Sequence, residues 1–354
     1  MTCFFNADNR QEREKTRMSE TVLLSLEEAQ SLSLTVLQHN GFSPAHAQAI
    51  TRSVLAAQRD ECHSHGLYRL IGCVETARNG GVDTHALPDV IDQAPGVVRI
   101  DAQRGCSLLA FETGLPMLIE KARRQGLAAM AINRCFHFSA LWSEVEAISS
   151  QGLVGIAMTP THPFVAPAGG TRPLLGTNPL AFSWPRPESP PYTFDFATSE
   201  VARGEIELRR RAGESIPTHW AMDAEGNPTS DPTKALAGAM RTFGGHKGSA
   251  LSTMIELMAG PLIGDVLGHE TTPANTEGTG KPLHGELVVA LCPQAFLGSE
   301  ADHHLRHAET LFDDILGQGA RLPSQRRFEA RERTMRYGMS LPKTLVDELN
   351  SLMN

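Results

Sequence analysis

The chain has 354 residues, 41% hydrophobic and 20% charged, which is enough for one large or two ordinary domains with a buried core. A formal net charge of -8 leaves no sequence-wide basic field for a phosphate backbone and argues against nucleic acid as a partner. No apolar run reaches the roughly 18 residues that a membrane span requires, because the longest candidate is broken by Glu256, Gly260 and Pro261. The six cysteines stand singly, without a CxxC pair, as expected of a cytoplasmic protein rather than a disulfide scaffold.

Residues 1–18 are polar and charged and read as a disordered or tag-like extension, with Met18 a candidate natural start. Ser25 and Glu28 have capping-box spacing, and the helix that follows runs to Asn40 and Gly41. Ser43 and Pro44 open a second helix. A third is expected from about Gly66 to Arg78, which leaves residues 60–65 at a helix junction. From residue 110 helices alternate with short apolar runs: a helix to Gln125, a strand over 127–132, a helix over 139–150 and a strand over 153–158. Strands over 180–184 and 192–196 lie in or beside a proline- and glycine-rich section. A helix over 200–211, a polar excursion to Lys234, an apolar helix over 247–263, a strand over 286–291 and helical ends complete the chain. The pattern predicts an α/β layer without fixing whether its strands pair in parallel.

No G-x-G-x-x-G follows a strand and no P-loop is present, so a nucleotide would have to be held in another way. Cys62, His63 and His65 crowd into four residues, a spacing that seldom converges on one ion, and no metal site is expected. His65 is the leading acid-base candidate, with Ser64 beside it and Arg69 four residues on. An imidazole next to a guanidinium suits proton transfer to a substrate gripped by its carboxylate. A capping serine and a histidine packed between helices account for the same residues. Asp195 ends an aromatic strand, where burial demands a partner, and a histidine is one; a simple helix cap is the other reading. Residues 137–141 lie between a strand and a helix, where free amides meet phosphate or merely connect. Gly244, Gly245, His246, Lys247 and Gly248 open the apolar helix with flexible backbone and a point charge.

Taken in order, these motifs resemble the malate/L-lactate dehydrogenase type of NAD(P)-dependent oxidoreductase, a family unrelated to Rossmann enzymes. The resemblance runs from about Ser19 to Gly338. It rests on Ser64, His65 and Gly66 with Arg69; on Gly176 to Pro179; on Asp195 to Ser199 with Ala202 to Gly204; on Gly244 to Gly248; and on Gly317 to Pro323. Arg59 to Arg69 and His137 to Leu141 are most similar to the branch that reduces the cyclic imino acids 1-piperideine-2-carboxylate and 1-pyrroline-2-carboxylate with NADPH. His63 stands where the hydroxy-acid branch commonly has an acid, and Ser324 where relatives often have glycine.

The resemblance implies His65 as proton donor, assisted by Ser64 and Asp195, with Arg69 and Thr177 contacting the substrate. It implies a cofactor site from His137, Phe138, Ser139, Ala140 and Leu141, from Asp195, Phe196 and Ala197, from His246 and Lys247, and from Gly317, Gln318, Gly319, Ala320, Arg321, Leu322, Pro323 and Ser324. The implied fold is α/β (α+β): a non-Rossmann NADPH-binding domain with a mainly antiparallel sheet over residues 131–289, plus a helical, substrate-side domain from residues 19–130 and 290–354. A homodimer is also implied. The alternatives are an NAD-dependent 2-hydroxy-acid dehydrogenase and a non-catalytic nucleotide-binding relative.

Overall fold

The first helices begin where side chains satisfy their open amides. In the computed structural model, which describes residues 20–271 and 283–354, strand β1 (Thr21–Leu24) leads into α1 (Leu26–His39). The Ser25 side chain accepts from the Glu28 amide and the Glu28 carboxylate from the Ser25 amide, so the capping box is present. Helix α2 (Pro44–Arg59) starts behind Ser43 with proline in its first turn. The reading of residues 1–18 lies outside the described residues.

The third helix starts later than expected. Helix α3 spans Arg69–Arg78, and Ser64 and His65 precede it in a separate 3-10 turn, His63–His65. Gly66 breaks the run: its backbone is extended, and a β-carbon there would strike the Gln58 side chain. His65 therefore sits on a tight turn between two helices.

A hairpin that no sequence signal marked, β2 (Asp89–Ala94) and β3 (Val97–Asp101), leads into α4 (Ser107–Gln125). Gly126, at φ +89°, ends that helix, and β4 (Leu127–Phe136) runs further than the 127–132 expected. There follow α5 (Trp142–Ser149), β5 (Val154–Met158), β6 (Val165–Ala166), β7 (Leu180–Trp184), β8 (Tyr192–Phe196) and α6 (Arg203–Ala212). Then come β9 (Ala221–Met222), α7 (Pro232–Ala237), β10 (Ala239–Arg241), α8 (His246–Ala259) and β11 (Leu283–Leu291). The chain closes with α9 (Pro293–Leu297), α10 (Ala301–Gly317), α11 (Gln325–Tyr337), β12 (Met339–Pro342) and α12 (Lys343–Ser351).

The main sheet has seven strands in the order β2-β3-β4-β11-β5-β7-β8. Every neighbouring pair is antiparallel except β3 with β4. β4 and β5 run in one direction, as a strand-helix-strand unit predicts, but β11 from late in the chain lies between them. The mainly antiparallel sheet with helices from both chain ends is thus the observed architecture, and the hairpin at 89–101 extends that sheet from within the segment read as helical.

Alternate residues of β11 supply opposite faces: Val288 joins the core under α4 and α5, and Leu287 the core under α8. Each such buried aliphatic side chain is worth about 1.5–3 kcal/mol. A third core holds α1, α2 and α3 against Met339, Leu341 and Leu349, and β1 pairs antiparallel with β12. The last residues of the chain therefore brace the helices that carry the His65 turn.

Candidate active site

The His65 turn is built from its own neighbours. Ser64 Oγ lies 3.0 Å from His65 Nδ1, and Arg69 Nη2 lies 3.5 Å from His65 Nε2. Arg69 Nε donates to the Ser64 carbonyl at 2.7 Å, which folds the guanidinium back over the turn. Gln58 fixes the turn from beneath, with Nε2 2.9 Å from His63 Nδ1 and Oε1 accepting from the Leu67 amide at 3.3 Å. Burial pulls the Arg69 pKa down, so an anionic ligand would relieve a real desolvation cost. Ser64, His65 and Arg69 are brought together as the sequence suggested.

Asp195 ends β8 and points at the start of α5. Its Oδ2 accepts the Trp142 amide at 3.0 Å, so the carboxyl caps that helix. Burial pushes its pKa up to about 6, against the pull of the Trp142 amide, the Arg327 charge and the Leu141 amide. At this helix start the amides of Trp142 and Leu141 are thus engaged by the protein's own acid. In the same segment His137, Phe138, Ser139 and Leu141 are buried and Ala140 is half-buried. Ser139 Oγ is out of solvent and makes no hydrogen bond among the described residues.

The charge of Asp195 is felt at Cys62, just before the turn. The Cys62 thiol, three residues before His65, is pushed up to about 11 by burial, and the charges of Asp60, Asp195 and Glu146 raise it further against that of Arg327. Burial thus holds Cys62 as a thiol, and Gln58 engages His63 at Nδ1.

Strand β8 is also where the other motifs meet. Ser324 Oγ donates to the Thr193 carbonyl at 2.8 Å, which brings in the late loop. Thr198 N donates to the Thr177 carbonyl at 2.8 Å, and the Thr177 amide to Thr161 Oγ1 at 2.8 Å. The Phe196 ring stands edge-on to Phe243 at 5.8 Å, just before the glycine opening of α8. Gly244 and Gly245 both take positive φ, His246 and Lys247 are exposed, and Ala197 is half-buried. His246 also borders a groove of about 620 Å³ along α8, with Ala168, Ser249, Thr253, Met254 and Leu257. Gly317, Gln318, Gly319, Ala320 and Arg321 are exposed, Leu322 is buried and Pro323 half-buried.

Two features escaped the sequence reading. His137, Glu144 and Glu286 are buried together, with one donor atom from each within 4.8 Å of the others. His137 Nε2 lies 3.7 Å from Glu286 Oε2, the four carboxylate oxygens accept no hydrogen bond among the described residues, and burial raises both carboxyl pKa values. A proton shared between them supplies the missing bond. The available signal was Glu286, a lone acid in an apolar strand. The second feature, an ion-pair cluster around Asp60 and Arg327, had no local signal, since its members lie 267 residues apart.

A family model described as malate/L-lactate dehydrogenase matches residues 24–350, and the chain belongs to that family. It is 58% identical over 334 residues to Delta(1)-pyrroline-2-carboxylate reductase 1 of Burkholderia ambifaria, covering 94% of this chain and 98% of that protein. It is 54% identical over 332 residues to the Delta(1)-pyrroline-2-carboxylate/Delta(1)-piperideine-2-carboxylate reductase of Pseudomonas aeruginosa, covering 94% and 99%. The crystal structure of delta1-piperideine-2-carboxylate reductase from Pseudomonas syringae pvar. tomato superposes with a TM-score of 0.90 at 36% identity, over 94% of this chain and 99% of that one. Malate dehydrogenase from Entamoeba histolytica, at 24% identity, shares the fold with a TM-score of 0.85 over 94% and 97% of the two chains.

Proposed function

We propose that this protein reduces the C=N bond of the cyclic imino acids 1-pyrroline-2-carboxylate and 1-piperideine-2-carboxylate, giving L-proline and L-pipecolate, with NADPH. The observation that carries the reading is the Ser64, His65 and Arg69 turn, in which an imidazole lies between a hydroxyl and a half-buried guanidinium. Relatives more than half identical over nearly their whole length bear this activity in their names, which supports it.

The residues around β8 fit a dinucleotide: Ser139 keeps a buried hydroxyl unspent, Phe196 presents part of its ring to solvent, and Gly244 and Gly245 offer open backbone. His137 to Leu141, Asp195 to Ala197, His246, Lys247 and the 317–324 loop would hold it. When bound, the reduced nicotinamide supplies the hydride for C2. Arg69 pairs with the substrate carboxylate through its planar fork, and Thr177 adds a polar contact. His65, as imidazolium, gives its proton to the ring nitrogen, with Ser64 fixing the ring through Nδ1 and Asp195 favouring the charged form. Residues 19–130 with 290–354 would carry the substrate side and 131–289 the cofactor side, in a cytoplasmic homodimer.

The test is direct. The purified protein is offered both cyclic imines, pyruvate and oxaloacetate, each with NADPH and with NADH, and nicotinamide absorbance is followed. Imine turnover with NADPH is the expected result. Inert imines with turnover of pyruvate or oxaloacetate would instead make it a 2-hydroxy-acid dehydrogenase.

A further inference from the structure

Arg327, on α11, is only 8% exposed, yet it reaches three separate segments. Its Nη1 donates to Asp60 Oδ2 at 3.0 Å, beside the His65 turn, since Asp60 caps α2 and is itself 2% exposed. Its Nη2 pairs with Glu146 Oε1 on α5 and donates to Ser324 Oγ at 3.0 Å. Its guanidinium lies 3.9 Å over the ring of Trp142, the residue whose amide holds Asp195. Ser324 in turn donates to Thr193, two residues before Asp195 on β8.

We propose that Arg327 is a positioning residue that fastens the His65 turn, the start of α5 and the 317–324 loop into one unit around Asp195. The inference rests on Asp195 serving the reaction proposed above. A guanidinium is required, because one planar fork must serve a carboxylate on each side, a hydroxyl and an aromatic face, which an ammonium does not match.

Charge counting supports the assignment. Asp60 is paired with Arg59 at 2.8 Å and with Arg331 at 2.5 Å as well as with Arg327, and Glu146 also meets Arg331 at 3.4 Å. Three cations therefore face two carboxylates, which leaves the cluster with surplus positive charge. Arg327 is the cation whose field favours the ionised form of Asp195 against its burial. The other titratable groups whose fields couple to Asp195 are Cys62, held as a thiol, and Glu144, held protonated by burial. Arg327 thus joins two functions: it sets where the acid stands and favours its charge. The loop contact has its own geometry. Ser324 adopts φ +64°, a conformation that glycine takes without strain, so its side chain is retained at a conformational cost and is used for two hydrogen bonds.

The experiment follows the carboxyl carbon of Asp195 by NMR in the intact protein, assigned with Asp195→Asn, in the wild type, Arg327→Gln and Arg331→Gln. Arg327→Gln is expected to raise the Asp195 midpoint by about one unit, and Arg331→Gln to move it less. An unmoved midpoint in Arg327→Gln, or an equal shift in both variants, overturns the assignment. Should Arg327→Gln fail to fold, Ser324→Gly carries the test. It relaxes the backbone while deleting both hydroxyl bonds, so NADPH affinity should weaken about three- to tenfold without a lower melting temperature. Unchanged NADPH affinity in Ser324→Gly overturns the loop fastening. A midpoint that shifts while the pH profile of imine reduction stays put confirms the hold of Arg327 on Asp195 and removes Asp195 from the proposed reaction.

Discussion

Asp195 Oδ2 accepts the Trp142 amide at 3.0 Å, so one carboxyl both ends β8 and caps α5. Any change in its ionisation is therefore felt by the segment that is to hold the cofactor. It is also felt by the stability of the fold, because burial raises its pKa from 3.8 to about 6.

The sign follows from linkage. The folded state binds the Asp195 proton more tightly than the unfolded state, so this group's stabilisation is complete below about pH 4 and is lost as the pH rises through 6. Asp195→Asn does not titrate. Its stability relative to wild type should therefore climb between pH 4 and pH 7, by about 3 kcal/mol for a shift of this size. Urea unfolding at both pH values measures it. A difference that does not change with pH would mean that Asp195 is not perturbed by burial.

Glu144 and Glu286 carry the same sign, since burial raises both. Glu286→Gln should gain stability over wild type above neutral pH and lose that advantage near pH 4, read by thermal melts across the range. Elemental analysis of the purified protein provides the contrary case: one equivalent of a divalent ion, absent from Glu286→Gln, would make the buried trio a metal centre rather than a shared proton.

Removing the proposed proton donor tests the chemistry itself. His65→Ala should lower turnover of the cyclic imines by about 100-fold or more, with NADPH binding by fluorescence titration nearly intact. Wild-type turnover in that variant would strip His65 of the role.

Arg69→Lys keeps the charge and loses the fork. The Michaelis constant for the imine should rise more than the dissociation constant for NADPH, because the variant alters the grip on the substrate carboxylate. Equal changes in the two constants would place Arg69 outside the substrate pocket.

Local chemistry was the legible part of this molecule. The capping box at Ser25, the proline start at Pro44 and the short apolar runs of β7 and β8 each announce their element within a few residues, and the structure shows them there. Ser64, His65 and Arg69 were readable for the same reason, being neighbours along the chain. The turn around them was not, because Gly66 leaves room for the Gln58 side chain, a fit that no periodicity displays. Strand order was equally hidden: β11 enters between β4 and β5 from more than a hundred residues away, so the strand-helix-strand pattern named the elements and missed their pairing. Arg327 illustrates the limit, since nothing in its local sequence marks it as buried until Asp60 and Glu146 are folded against it.

The pairing of Thr21–Leu24 with Met339–Pro342 sets an order of events during synthesis. The helices flanking the His65 turn leave the ribosome well before the strand and helix that brace them. An emerging chain must carry the His65 turn on an unbraced, partly apolar layer until β12 and α12 are made. A nonsense lesion that removes only β12 and α12 should therefore spare the sheet and still yield a protein prone to association.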